Sequence, residues 1–182
     1  MQLSWSERCE INMYYLDTNV IIAYGFREEA HHKIARKAVE ELRGPFCISA
    51  WSLVELAAVL SRQTKVRYRF PPEIEQFAQD PRDKIDLTIR WLLKKLNVER
   101  ILPDRGDLLR DHDYNTEITI EHLKAIELAL KMAFRHIVGA GDIMHFVYMI
   151  NHGIKDFMTL EDKIEKSKDI LATLGVHVIR VK

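Results

Sequence analysis

Five short stretches that read as strands alternate with helical patterns along this chain, and that order leaves few folds open. Residues 13–16, 46–49, 98–102, 157–160 and 176–181 are too short for stable helices and are bounded by turn or helix signals. After the first, Asp17-Thr18-Asn19 supplies turn and cap chemistry for a short helix starting over residues 20–24. Residues 31–42 then place Ile34, Ala35, Ala38, Val39 and Leu42 on one helical face, and Gly44-Pro45 stops it. Residues 51–61 are apolar nearly all round except for Glu55, which predicts a buried helix. Two further helical patterns meet at Asp80-Pro81, the second carrying Ile85, Ile89, Leu92, Leu93 and Leu96. A polar loop over 104–115 and a helix opening at Thr119, with Leu123, Ile126, Leu130, Ala133 and Phe134 inward, come next. Gly139-Ala140-Gly141 breaks that pattern, Asp142 opens another apolar helix to about residue 150, and a last helix covers 164–174. Strands alternating with helices predict a parallel sheet covered on both faces, with sites outside the carboxyl ends of its strands.

Composition matters at three points. A chain of 182 residues suits one domain with a sizeable core, here 13–182 after a short extension over 1–12, with a helical insertion at about 63–117. Lys plus Arg equals Asp plus Glu at 27 each, so bulk charge does not drive nucleic-acid binding. A local basic patch remains: Arg62, Lys65, Arg67 and Arg69, interleaved with Tyr68 and Phe70, have the chemistry to track phosphates and stack bases, or simply to solvate a connection. Cys9 and Cys47 lie in no metal-ligand spacing and read as reduced thiols. No apolar run approaches the ~20 residues that span a bilayer, and the N-terminus has no signal-peptide pattern. The expectation is a cytoplasmic protein with no membrane partner.

Three carboxylates stand almost alone. Asp17 is the only charged residue between Glu10 and Arg27, and Glu55 the only one between Arg43 and Arg62. Histidines aside, Asp142 is the only one between Arg135 and Lys155. Carboxylates in apolar settings call for cations nearby. Two of them ~5 Å apart repel by about 3 kcal/mol at an effective dielectric of 20, so several coexist only with cations or protons. Mg²⁺ or Mn²⁺ suits such an oxygen-rich set. Asp17 and Asp142 also fit as helix caps, whereas a mid-helix Glu55 has no capping role; its alternative is a buried ion pair with a distant Arg. His145, three residues beyond Asp142 and on roughly the same helical face, reads as a core or surface histidine because no zinc spacing emerges. Trp51 reads as core.

The segments Tyr14-Tyr-Leu-Asp-Thr-Asn-Val-Ile-Ile22, Ile48-Ser-Ala-Trp-Ser-Leu-Val-Glu55, Gly141-Asp142 and Phe157-Met-Thr-Leu-Glu-Asp162 resemble, in order and spacing, the PIN-domain nucleases. The resemblance covers most of 13–181 and implies a three-layer α/β/α sandwich around a mostly parallel sheet. It further implies a metal-dependent endoribonuclease, a hydrolase of RNA phosphodiesters, leaving 5′-phosphate and 3′-hydroxyl ends. On the family's pattern Asp17, Glu55 and Asp142 match the first three acidic positions. Glu161 stands in the fourth register, where the family usually has Asp, and Asp162 beside it competes for the role. Asn19 and Thr159 match the polar residues that support the pocket. A small domain of this kind resembles the VapC toxin of a toxin–antitoxin pair, which implies a small antitoxin partner and a homodimer; RNA processing is the nearer rival. A catalytically silent scaffold that binds RNA or protein is the alternative, motivated by the altered fourth position. A phosphotransferase of the haloacid-dehalogenase type is weak, because it needs a second Asp where this chain has Asn19.

Overall fold

The computed structural model describes residues 13–63, 69–102 and 139–182. The extension over 1–12, the loop over 104–115, the helix opening at Thr119, and Lys65 and Arg67 lie outside the described residues. Strands β1 (Tyr14–Leu16), β2 (Phe46–Ser49), β3 (Val98–Leu102), β4 (Asp156–Thr159) and β5 (His177–Arg180) form one sheet in the order β3-β2-β1-β4-β5. Every neighbouring pair is parallel, with Tyr15 in register with Cys47 on one side and Phe157 on the other. Parallel neighbours require crossovers, and the helical segments between the strands supply them.

Side chains alternate across the pleat and so divide the interior in two. Tyr15, Cys47 and Phe157 point to one face, where Ile143, Phe146, Met149, Ile164 and Leu171 cover them. Leu16, Phe46, Ile48 and Met158 point to the other, under Val20, Ile21, Val39, Leu56, Leu60, Leu92 and Leu96. The second face is therefore roofed by α1 (Thr18–Gly25), α2 (His32–Leu42), α3 (Ala50–Gln63) and α5 (Pro81–Lys95). The first is roofed by α6 (Ala140–Asn151), α7 (Asp162–Glu165) and α8 (Lys168–Thr173). Three layers result, the α/β/α sandwich expected from strand and helix alternation. Within 63–117, β3 pairs with β2 and α5 packs on the core, while α4 (Pro72–Phe77) precedes α5; Asp80 caps α5 by accepting from the Arg82 N–H at 2.6 Å.

Two elements differ from expectation. Helix α3 is buried on one side only: Ser52, Leu56 and Leu60 face inward, whereas Val54 is 57% exposed and Ala58 lies open. An apolar composition all round therefore did not mean burial all round. The single helix expected over 164–174 is two short helices, broken where buried Ser167 bonds back to the Lys163 carbonyl at 3.0 Å. A serine that satisfies itself locally competes with helix propagation.

Candidate metal centre

Strand β1 delivers Asp17 to the carboxyl edge of the sheet, where its N–H donates to Met158 O on β4 at 3.0 Å. Asp17 stands at the N-cap position of α1, but its side chain accepts no backbone N–H of that helix, so its carboxylate is not spent on capping. Instead its Oδ2 accepts from Thr159 Oγ1 at 2.7 Å and Asn19 Nδ2 at 2.8 Å. Asn19 also accepts from the Leu160 N–H through Oδ1, and Thr159 Oγ1 accepts from the Glu161 N–H. The turn after β1 and the turn after β4 are thereby stitched into one wall. Burial, with added repulsion from Glu161 and Asp142, pushes the Asp17 carboxyl up to about 6 despite the opposing pull of His145 and Thr159.

Glu55 reaches the same place from α3. Its Oε2 accepts from Thr18 Oγ1 at 2.8 Å and lies 2.8 Å from His145 Nε2. Burial works against its charge, yet His145, Thr18 and the Trp51 indole together hold it below the ordinary carboxylate range. Gly141 makes this approach feasible, because a Cβ there would stand 2.9 Å from Glu55 Oε1. The partner of Glu55 is thus a histidine and not the distant Arg considered from sequence.

His145, read from sequence as a core or surface histidine, is buried and joins the acidic cluster. It is 1% exposed, with Nε2 on Glu55 and 3.9 Å from Asp17 Oδ1. Its Nδ1 lies 2.8 Å from the Tyr15 hydroxyl, which itself donates to Ser49 Oγ at 2.6 Å. Since Tyr15 spends its proton on Ser49, Nδ1–H is the donor toward Tyr15 and Nε2–H the donor toward Glu55, which describes an imidazolium. Burial alone would lower the His145 pKa, but Glu55 and Asp17, with Asp142 behind them, raise it. The spacing of three from Asp142 was the available signal; what lay opposite that helical face was not legible.

Asp142 and Glu161 form the second half of the cluster. Asp142 Oδ2 accepts from the Gly139 N–H at 3.0 Å, so it reaches back from the third position of α6 to an N-cap that is Gly139, and is not itself the N-cap expected from sequence. The same oxygen also pairs with Lys163 Nζ at 2.9 Å, and Glu161 Oε2 meets that ammonium at 2.9 Å. Burial disfavours the charge on Lys163, and the two carboxylates outweigh it, raising its pKa. Asp162 points elsewhere: it pairs with Arg180 and is 64% exposed. Arg62 bonds the Ala58 carbonyl through Nε and is exposed, as is Arg69. Neither Arg62 nor Arg69 makes a bond to the acidic cluster.

Asp17, Glu55, Asp142 and Glu161 thus converge from β1, α3, α6 and the turn after β4, held by two internal cations, His145 and Lys163. Among the described residues no group of three or more Asp, Glu, His or Cys side chains is placed so that it could hold a metal ion. The donor set nevertheless suits a hard cation: all four are carboxylates, and Asp17, its pKa raised chiefly by burial, is also repelled by Glu161 and Asp142.

A parallel sheet with this strand order and an acidic cluster outside its central strands defines an α/β protein whose candidate site lies at the carboxyl edge of the sheet. The PIN domain model matches residues 14–169, and the chain belongs to that family, whose members are generally nucleases. No curated protein matches the chain by sequence. Among solved structures it is similar to VapBC2 from Rickettsia felis bound to a DNA fragment from their promoter, at 14% identity and a TM-score of 0.54, covering 93% of this chain and 98% of that one. It is similar too to DNA-bound VapBC from Salmonella typhimurium, at 15% identity and a TM-score of 0.54, covering 94% and 100%. At such identities the likeness is one of fold.

Proposed function

We propose that this PIN domain is a divalent-metal-dependent endoribonuclease, with Asp17, Glu55, Asp142 and Glu161 holding Mg²⁺ or Mn²⁺. The observation that carries the reading is the convergence of four carboxylates on a pocket whose own cations leave Asp17 with a pKa of about 6. Glu161 is favoured over Asp162 because it shares Lys163 with Asp142, whereas Asp162 is committed to Arg180. When bound, the ion supplies Lewis-acid chemistry, polarising a phosphodiester and lowering the pKa of the attacking water.

The chain's own residues do the positioning. Thr159 and Asn19 fix the Asp17 carboxylate by two hydrogen bonds, and Thr18 fixes Glu55. His145, locked by Tyr15, keeps the Asp17 and Glu55 side chains on one charge and prevents them from splaying. Arg62, Lys65, Arg67 and Arg69 are proposed as the approach for the RNA backbone, by their charge.

The likeness to the two VapBC structures supports a VapC-like toxin with a small antitoxin partner, and the family resemblance supports a homodimer in the cytoplasm. No helix among the described residues is long and apolar enough to cross a membrane. A silent RNA- or protein-binding scaffold is the second reading, favoured by the pairing of all four carboxylates with internal cations. Labelled single-stranded RNA incubated with Mn²⁺ separates the two. Cleavage should vanish in Asp17→Asn and Glu55→Gln, fall steeply in Glu161→Gln and persist in Asp162→Asn. Wild-type activity in the first two would overturn the assignment.

A further inference from the structure

We infer that Lys163 is a built-in competitor of the metal: its ammonium holds Asp142 and Glu161 together and gives ground when a divalent ion binds there. The inference rests on the metal reading above and concerns how tightly that metal is held. Lys163 Nζ stands 2.9 Å from Asp142 Oδ2 on α6 and 2.9 Å from Glu161 Oε2 in the turn after β4. One cation therefore bridges two elements through two oxygens, the role a metal would otherwise have. A small divalent ion takes oxygens at about 2.0–2.2 Å, so an ion on these two carboxylates would face the ammonium at close range, and like charges that close compete for the same oxygens.

The two internal cations differ in their freedom to yield. His145 is fixed at both ring nitrogens and is 1% exposed, so it stays. The Lys163 side chain is 48% exposed on a flexible four-carbon stem, so its head can turn to water without unpacking anything. Metal entry then weakens the Lys163 pairs, and the ammonium repels the ion from nearby. Lysine at this position weakens metal binding while keeping the empty pocket neutral enough to fold. It acts through Asp142 and Glu161 and is a positioning residue.

The test is the Mn²⁺ dissociation constant of the purified chain, measured by calorimetry or by the free-ion electron paramagnetic resonance signal. Lys163→Met should bind Mn²⁺ about tenfold more tightly than wild type, as expected for loss of two partly exposed ion pairs. Lys163→Arg, which keeps the charge, should stay near wild type. Lys166→Met, which removes an exposed lysine from the same segment, is the control for net charge and should change affinity little. A merely structural lysine gives the opposite sign, since losing a brace between α6 and the β4 turn would loosen the ligands and weaken binding. Unchanged or weaker binding in Lys163→Met, with wild type binding normally, overturns the inference and leaves the metal reading intact. Absence of Mn²⁺ binding in wild type and in all variants overturns both.

Discussion

Asp17 is the residue on which burial and charge are most at odds. It is 4% exposed, and burial together with Glu161 and Asp142 lifts its pKa from the ordinary 3.8 to about 6. A carboxyl whose folded pKa is raised stabilises the fold fully below its unfolded pKa, and that contribution is lost as pH rises through the folded pKa. The gap of about two units corresponds to about 3 kcal/mol of strain in the metal-free protein at pH 7.5. Asp17→Asn should therefore stabilise the metal-free chain by up to about 3 kcal/mol at pH 7.5, with the gain fading toward pH 4. Urea melts in chelator at both pH values measure this; a destabilised variant at pH 7.5 would show that the Thr159 and Asn19 bonds outweigh burial. Sequence alone singled out Asp17, Glu55 and Asp142 because each is isolated in uncharged chain. It did not reveal His145 or Lys163, whose roles depend on which carboxylates the fold sets opposite them. It placed Glu161 ahead of Asp162 by register alone; the pairing of Asp162 with Arg180 is a separate reason for the same preference.

At the level of elements, the site depends on how closely α6 approaches α3. Strand limits were legible because apolar runs of four or five residues bounded by turn chemistry have one reading in an α/β chain. Helix orientation was less so: the apolar surround of Glu55 left open which side of α3 faced the sheet, and Val54 turned out to be outside. Asp142 sits in the first turn of α6, where it caps Gly139 and still reaches Lys163. Gly141, one residue earlier, brings its backbone close to the Glu55 side chain. Its missing Cβ matters because Glu55 Oε1 would lie 2.9 Å from it, and the Glu55 carboxylate is held by Thr18 and His145. Gly141→Ala should displace that carboxylate, cost about 1–2 kcal/mol of stability after the helix-propensity gain of alanine is included, and weaken Mn²⁺ binding. Chemical denaturation and Mn²⁺ titration of the variant check both parts. Unaltered affinity would mean that Glu55 is not a ligand, or that α6 moves freely relative to α3.

Across the whole molecule, the pocket lies where the sheet order reverses, between strands whose opposite faces belong to two separate cores. Its four carboxylates come from β1, α3, α6 and the β4 turn, so an ion held by all of them would cross-link both helical layers to the sheet. Binding to the folded chain alone stabilises it by RT ln(1 + [ion]/Kd), about 2.7 kcal/mol at a hundredfold excess over Kd. For a domain of this size that is a rise of about 5–10 °C in Tm. The wild-type Tm should climb with Mn²⁺ and fall back on chelation, while Asp17→Asn, missing one ligand charge, should start higher in chelator and respond far less. The two curves should converge or cross as Mn²⁺ increases, because the charge density that strains the empty pocket is what binds the ion. A wild-type Tm indifferent to Mn²⁺ would instead mean that His145 and Lys163 are the pocket's permanent cations, and would favour the silent scaffold.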